Sequence, residues 1–405
     1  MSLTKKRDLR DGRAVWKSFS EPTIAGTPLR RSTHAQVVIV GAGISGALLA
    51  QSLTEAGLRP LIIDRRRAAL LGSTAASTAL LQFELDTPLS KLSSKIGARD
   101  AGRVWLASRD AVNELRTRSE RLRINAEFAT RPSLYLAGNV LDARGLRKEV
   151  RQRQGIGLSS EYLDRRALHH HFGIHSEAAI LNHGNAEANP VQLAAGYLHL
   201  ALKAGARFHA PHEIVDLRKI RRGIELVTDN GIEITASRVI LCTGYELAKI
   251  VPPTNNHMIS TWAIATRQQP SAIWPQRALI WESSEPYLYL RSTRDGRVIC
   301  GGEDAEITDA AKRDSLTDKK AQRIAAKLSR LMPGVDSRPA FAWTGTFGAN
   351  STGMPTIGEI PGFRNCYAVM GYGGNGITFS MLASKLITAA ILKQKLPEAR
   401  LFAFK

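Results

Sequence analysis

The chain is poor in cysteine, in acidic residues relative to basic ones, and in long apolar runs. Only three cysteines occur in 405 residues, Cys242, Cys300 and Cys366, each alone in an apolar segment. No CxxC pair exists, so a disulfide framework, a zinc ribbon and a dithiol redox centre are unsupported. Buried free thiols are expected instead. No apolar run approaches the roughly 20 residues that span a bilayer. The start, Met1 to Arg7, is basic with no apolar stretch behind it, which argues against a signal peptide. A soluble, cytoplasmic protein is therefore expected. Paired carboxylates, a Ser-His-Asp arrangement and a Walker loop are also missing.

The shortage of acid gives 36 Asp+Glu against 56 Lys+Arg, a net charge of +20. Such a balance bears on partners and solubility and not on fold. The basic residues are spread along the chain, with clusters at Lys5-Lys6-Arg7, Arg65-Arg66-Arg67 and Arg221-Arg222. A nucleic-acid binder concentrates its charge on one motif with interleaved aromatics, and no such motif occurs. A solvated basic face is the favoured reading; attraction to RNA, to anionic substrates or to a membrane surface is the alternative. His169, His170, His171 and His175 crowd together without a regular ligand spacing or an accompanying acid or thiol, so no metal site is expected.

What is present is a globular composition long enough for two or three domains. Residues 1–35 are polar, basic and aperiodic, and read as an arm packed loosely on the body or partly disordered. Gln36 to Val40 is a short β-branched run of the kind buried in parallel sheets. Gly41, Gly43 and Gly46 follow it, then an apolar helix that Gly57 and Pro60 end, then the strand Leu61-Ile62-Ile63-Asp64. Helical spacing recurs over 98–122, from Asn189-Pro190 onward and over 318–332. Alternation over 256–305 predicts antiparallel strands.

The βαβ unit carries the first chemical signal. Gly41-Ala42-Gly43-Ile44-Ser45-Gly46 lies between a strand and a helix, and Asp64 stands 18 residues past the last glycine. That context is the dinucleotide fingerprint. Gly41 makes the tight turn, Gly43 admits a pyrophosphate to the backbone, and Gly46 lets helix and strand pack closely. Asp64 would accept from ribose hydroxyls, and the helix N-terminus would face the phosphates. No second fingerprint follows, which argues for one tightly held FAD reduced directly by substrate.

At this point the chain resembles the D-amino-acid oxidase superfamily of FAD-dependent amine and amino-acid oxidoreductases, which includes glycine oxidase, sarcosine oxidase and the gamma-glutamylputrescine oxidoreductases. The resemblance covers roughly residues 36–395. It rests on the fingerprint, on Gly72 to Leu81, on Val239 to Gly244, and on Trp343 to Gly358 followed by Gly371 to Thr378. It implies an α/β fold, with a Rossmann-type FAD-binding domain and an inserted, mainly antiparallel β substrate domain. The corresponding division is an arm 1–35, FAD-binding segments 36–90, 151–255 and 341–405, a helical substrate-side segment 91–150, and a sheet domain 256–340. It further implies that Ile44 and Ser45, Arg65, Thr78, Ala79 and Leu80, Ile214, Thr243 and Gly244, and Gly373, Gly374, Asn375, Gly376, Ile377 and Thr378 surround the FAD. The glycine-rich turn would present backbone N–H groups to the pyrimidine end of the flavin.

Departures from the family pattern shape the substrate expectation. Phe347 occupies the position where glycine oxidase-like members hold a carboxylate-binding arginine, and phenylalanine cannot make that bidentate pair. Tyr287, Tyr289 and Arg291 alternate along one strand, so Tyr289 and Arg291 are expected to line the pocket with Phe347. The stretch Trp343 to Phe347 lacks the cysteine that tethers flavin in sarcosine oxidase-like members, so the FAD is expected to be non-covalent. Residues 282–304 contain no lysine to activate oxygen, which leaves O2 or a quinone or other electron carrier as acceptor and tilts toward a carrier. The expected reaction is oxidation of the C–N bond of a small-molecule amine or amino-acid derivative, by hydride transfer to flavin and hydrolysis of the imine. A flavoenzyme acting on a modified RNA base and a non-catalytic FAD-binding scaffold are the alternatives.

Overall fold

Val37, Val38 and Ile39 are fully buried, as a strand covered on both faces requires. The computed structural model describes residues 3–4, 7–19, 22–246, 248–252 and 256–404, so Lys5 and Lys6 of the first basic cluster lie outside the described residues. In it, these three residues belong to the strand Thr33–Val40, inside an eight-stranded sheet. Alternate side chains serve different cores. Val37 and Ile39 join the apolar core that holds helices Ile44–Glu55, Pro190–Lys203 and Gly376–Ile391. Val38 and Val40 join a second core under the hairpin of Ile214–Ile220 and Gly223–Thr228.

Five strands of this sheet are parallel, in the order Cys366–Met370, Glu233–Leu241, Thr33–Val40, Leu61–Ile63 and Arg207–His209. One covering helix, Pro190–Lys203, starts where the sequence supplies the cap. Asn189 Oδ1 accepts from the N–H groups of Val191 and Gln192, and Pro190 occupies the first helical position, where its missing donor costs nothing.

The second sheet has ten strands. His257–Thr266, Leu279–Glu282, Leu288–Ser292, Val298–Ala305 and Pro339–Ala349 pair antiparallel, as the alternation over 256–305 leads one to expect for its strands. The sheet is nevertheless mixed, because Leu279–Glu282 also pairs in parallel with Ala129–Leu136. It then continues through Ala178–Glu187, which carries Leu80–Leu81 and Ser160–Asp164. Parallel pairing joins segments remote in sequence, and local periodicity carries no trace of it. Helix Thr317–Leu331 covers one face with Ala321, Ile324, Leu328 and Leu331, which recur at helical spacing.

The N-terminal segment differs from the loose arm expected of it. Arg10–Gly12 adds an antiparallel edge strand against Trp343 to Gly345. Trp16 is 1% exposed and donates from its indole N–H to the Ser77 carbonyl at 2.7 Å. Burial here comes from scattered anchors, Leu3, Leu9, Val15, Trp16, Ile24 and Leu29 among them, whose irregular spacing produces no periodic signal. Replacing Trp16 with Ala is expected to cost about 3–5 kcal/mol of folding stability. Denaturant unfolding checks this, and a cost under about 1 kcal/mol would show the segment to be dispensable.

Candidate active site

The fingerprint turn is shaped by contacts that only glycine permits. Gly41 has φ +110°, and a Cβ there would fall 2.3 Å from the Cys242 carbonyl oxygen. A Cβ on Gly46 would fall 2.0 Å from the Gly41 carbonyl oxygen, so Gly46 lies in the helix–strand contact and does not line the cleft. Gly43 caps helix Ile44–Glu55 without a side chain of its own, and Thr74 Oγ1 accepts from the Ile44 N–H at 3.1 Å. Asp64 closes the turn: Oδ2 accepts from Ala42 N–H at 2.7 Å and Oδ1 from Arg66 N–H at 2.8 Å. Burial nonetheless pushes its carboxyl up, against the pull of those two bonds and of the Arg66 charge. Arg65 and Arg66 both pair with the buried carboxylate of Glu246.

From this turn one cleft runs toward the second sheet. Gly41, Gly43, Ile44, Ser45, Asp64 and Arg65 line one end, with Ile214, Thr243 and Gly244 beside them. Thr78, Ala79 and Leu80 cross its middle, and Ala79 holds φ +54° with its N–H bonded to Ser77 Oγ. Gly373, Gly374, Asn375, Gly376 and Ile377 form the far rim. That rim is stitched to the segment after Leu81. Gly374 N–H donates to Asp86 Oδ2 at 2.9 Å, Asn375 Nδ2 to the Glu84 carbonyl at 2.7 Å, and Thr378 Oγ1 to the Gln82 carbonyl at 2.9 Å. Thr378 therefore anchors the rim and does not face the cleft.

The sheet-side wall is aromatic. Tyr289 and Phe347 line it, together with Trp281, Tyr287 and Tyr245. Tyr289 lies across Gly301 of the neighbouring strand, where a Cβ would come within 2.3 Å of its hydroxyl. Burial pushes the phenols of Tyr245, Tyr287 and Tyr289 up, so none is a base at neutral pH.

Arg291 corrects the expectation made for it. Its side chain turns away from the cleft: Nε donates to the Thr78 carbonyl at 2.7 Å, Nη2 to the Ala188 carbonyl at 2.8 Å, and Nη1 to Glu187 Oε2 at 3.2 Å. The guanidinium also lies 5.2 Å from the Trp16 ring centroid. Arg291 braces the Thr78 segment from behind.

Sequence reasoning missed Asp86, Trp281, Tyr245, Gln82 and Glu246. Asp86 had a readable signal. Gln82, Glu84 and Asp86 alternate in sequence with the apolar Phe83 and Leu85, and of the three polar residues Gln82 and Asp86 line the cleft while Glu84 is buried against Ser133 and Asn182.

The residues present fit an FAD. The glycine turn leaves a side-chain-free approach to a helix N-terminus, as a pyrophosphate needs. Arg65 Nε and Gln82 Nε2 are buried donors without a protein partner, and both residues line the cleft.

Comparison with known proteins agrees. The family model described as "DAO: FAD dependent oxidoreductase" matches residues 36–390. The chain is 24% identical to gamma-glutamylputrescine oxidoreductase of Escherichia coli (strain K12), over 89% of this chain and 84% of that one. It is 23% identical to glycine oxidase of Pseudomonas aeruginosa, over 87% and 93% respectively. The solved glycine oxidase of Geobacillus kaustophilus superposes with a TM-score of 0.73 at 18% identity, covering 90% of this chain and 96% of that one.

Two outcomes are expected. Gly46→Ala forces the helix off the Gly41 carbonyl, so the purified variant should carry less than about a tenth of the wild-type flavin, read from absorbance per protein. Arg291→Ala should lower the thermal midpoint while leaving substrate affinity within about twofold; a large rise in KM at unchanged stability would return Arg291 to the pocket.

Proposed function

Because the chain belongs to the DAO family of FAD-dependent oxidoreductases, we propose that it oxidises the C–N bond of an amine, with an imine as product that water hydrolyses. One observation carries this reading: the dinucleotide turn and the aromatic wall of the second sheet line a single continuous cleft. Bound FAD would supply the hydride acceptor at the junction of the two. Gly41 to Ser45, Asp64 and Arg65 would hold its adenosine and diphosphate end, Thr78 to Leu80 would run along it, and the Gly373–Ile377 rim would meet the other end.

The character of the wall favours an amine without an α-carboxylate. Among the described lining residues Arg65 and Arg66 are the only arginines and there is no lysine, and both arginines stand at the dinucleotide end. Arg291 is fully engaged elsewhere, and Phe347 is apolar. A carboxylate at the aromatic wall would therefore lack the charge-assisted partner it needs. O2 or a quinone-type carrier would serve as electron acceptor.

Attachment of the FAD is best read as non-covalent. Trp343 to Phe347 contains no cysteine, and burial pushes the Cys242 thiol beside the cleft upward, away from nucleophilic thiolate.

The test is anaerobic mixing of the flavin-loaded protein with n-butylamine, N-methylbutylamine, glycine and sarcosine, followed by visible spectroscopy. Bleaching by the carboxylate-free amines and not by the amino acids is expected; bleaching by glycine or sarcosine alone would overturn the substrate reading. Acid precipitation should release the flavin to the supernatant, and yellow colour kept in the washed pellet would refute non-covalent attachment.

A further inference from the structure

Among the described residues, Asp86 is the one acidic side chain that lines the substrate end of the cleft. It follows the strand Leu80–Leu81 and sits against the Gly373–Gly374 rim. Glycine at both rim positions lets it come so close: a Cβ on Gly373 would fall 2.5 Å from Oδ2, and one on Gly374 3.1 Å from Oδ1. Asp86 is exposed, and its open surface faces the cleft. Among the described residues its protein hydrogen bond comes from the Gly374 N–H, and no cation pairs with it. A ligand that fills the cleft takes this carboxylate out of water, which is costly unless the ligand brings a cation.

The groups around it have the same character. Asp304, on the strand Val298–Ala305, adds negative charge within electrostatic reach of Asp86, and its own Oδ1 is buried without a partner. Tyr287, Tyr245 and Tyr135 are the other titratable groups that feel the Asp86 charge, and burial keeps all three phenols protonated. Trp281 is 7% exposed and lines the cleft with an indole N–H that has no partner in the protein. Aromatic faces beside carboxylates form a cage for an ammonium group.

We propose that Asp86 anchors the ammonium group of the substrate and receives the proton that this group loses before its C–H bond breaks. The inference rests on the C–N oxidation reading given above. In the step, one N–H bond of the ammonium breaks and an O–H bond forms on Asp86. The nitrogen keeps the electron pair, so a cation and an anion become a neutral amine and a neutral acid. That electron pair is what assists loss of hydride from the adjacent carbon. Desolvation by the neighbouring protein pushes the Asp86 carboxyl up, which favours proton acceptance, with the Gly374 N–H opposing.

The experiment uses flavin-loaded protein under anaerobic conditions, with n-butylamine as the cationic probe and butyrate as the anionic one. Binding is followed by perturbation of the flavin spectrum, and flavin content and thermal midpoint are recorded for each variant. Asp86→Asn should weaken butylamine binding at least tenfold without weakening butyrate binding. It should also slow flavin reduction by about 10²-fold and remove the fall in reduction rate that wild type shows as acid protonates the carboxylate. Asp86→Glu should recover part of the affinity and of that acid limb. An Asn variant that binds butylamine as wild type does, with the same acid limb, would overturn the proposal.

Should the Asn variant fail to retain flavin, wild type still decides. Its butylamine affinity must fall as acid neutralises Asp86, with Asp304 adding to the fall as the pH drops through about 6, and pH-independent affinity would refute the anchor. Butylamine that binds through Asp86 but never bleaches the flavin would sink the oxidation reading and leave the anchor. Bleaching that survives unchanged in the Asn variant would do the reverse.

Discussion

Three hydrogen bonds tie residues 82–86 to the turn at 374–378, and the cleft exists because of them. The first segment continues from a strand of the ten-stranded sheet, and the turn joins a parallel strand of the other sheet to its covering helix. One apolar core already joins the sheets, holding Ile39 and Val369 of one with Ala265 and Ile299 of the other. The stitching adds polar contacts of defined length and direction, to which apolar contact is indifferent. Ser45 extends the tie to the fingerprint helix, bonding Tyr372 at 3.0 Å and Ser380 at 2.7 Å. The dinucleotide turn, the rim and the aromatic wall are thereby held as one unit.

Much of the dinucleotide half was legible in the sequence because its determinants are contiguous. Strand, glycine turn, helix, strand and acid follow one another within residues 33–64, and Gly46 answers to Gly41 five positions before it, although Gly41 itself answers to the distant Cys242. The substrate half was less legible for a physical reason. Arg291 does alternate with Tyr289, but its orientation is set by Thr78, Glu187 and Ala188, which come from other parts of the chain. The parallel pair of Leu279–Glu282 with Ala129–Leu136 is equally invisible to local periodicity. Asp86 could have been found from the alternation of Gln82 to Asp86, but not its approach to the rim, which depends on the absence of side chains at Gly373 and Gly374.

Charge is distributed unevenly between outside and inside. The chain carries +20 overall, while the substrate end of its cleft holds Asp86 with Asp304 near by and, among the described residues, no lysine or arginine lining it. Net charge read from composition therefore describes the surface and misleads about the site. It points toward anionic partners, whereas these two carboxyl groups favour a cation. The two statements are compatible because long basic side chains keep their heads in water and solvent and salt screen them from the interior.

The short strand Arg10–Gly12 has a role apart from the site. It pairs with Trp343 to Gly345 of the strand Pro339–Ala349, at one edge of the ten-stranded sheet. An uncovered edge offers its free N–H and C=O groups to any extended chain that meets it. By occupying that stretch, and by being fastened down through Trp16, the N-terminal segment acts as a guard against strand addition by another molecule. Its loosening would show first as self-association that grows with protein concentration, before any loss of the helices and strands behind it.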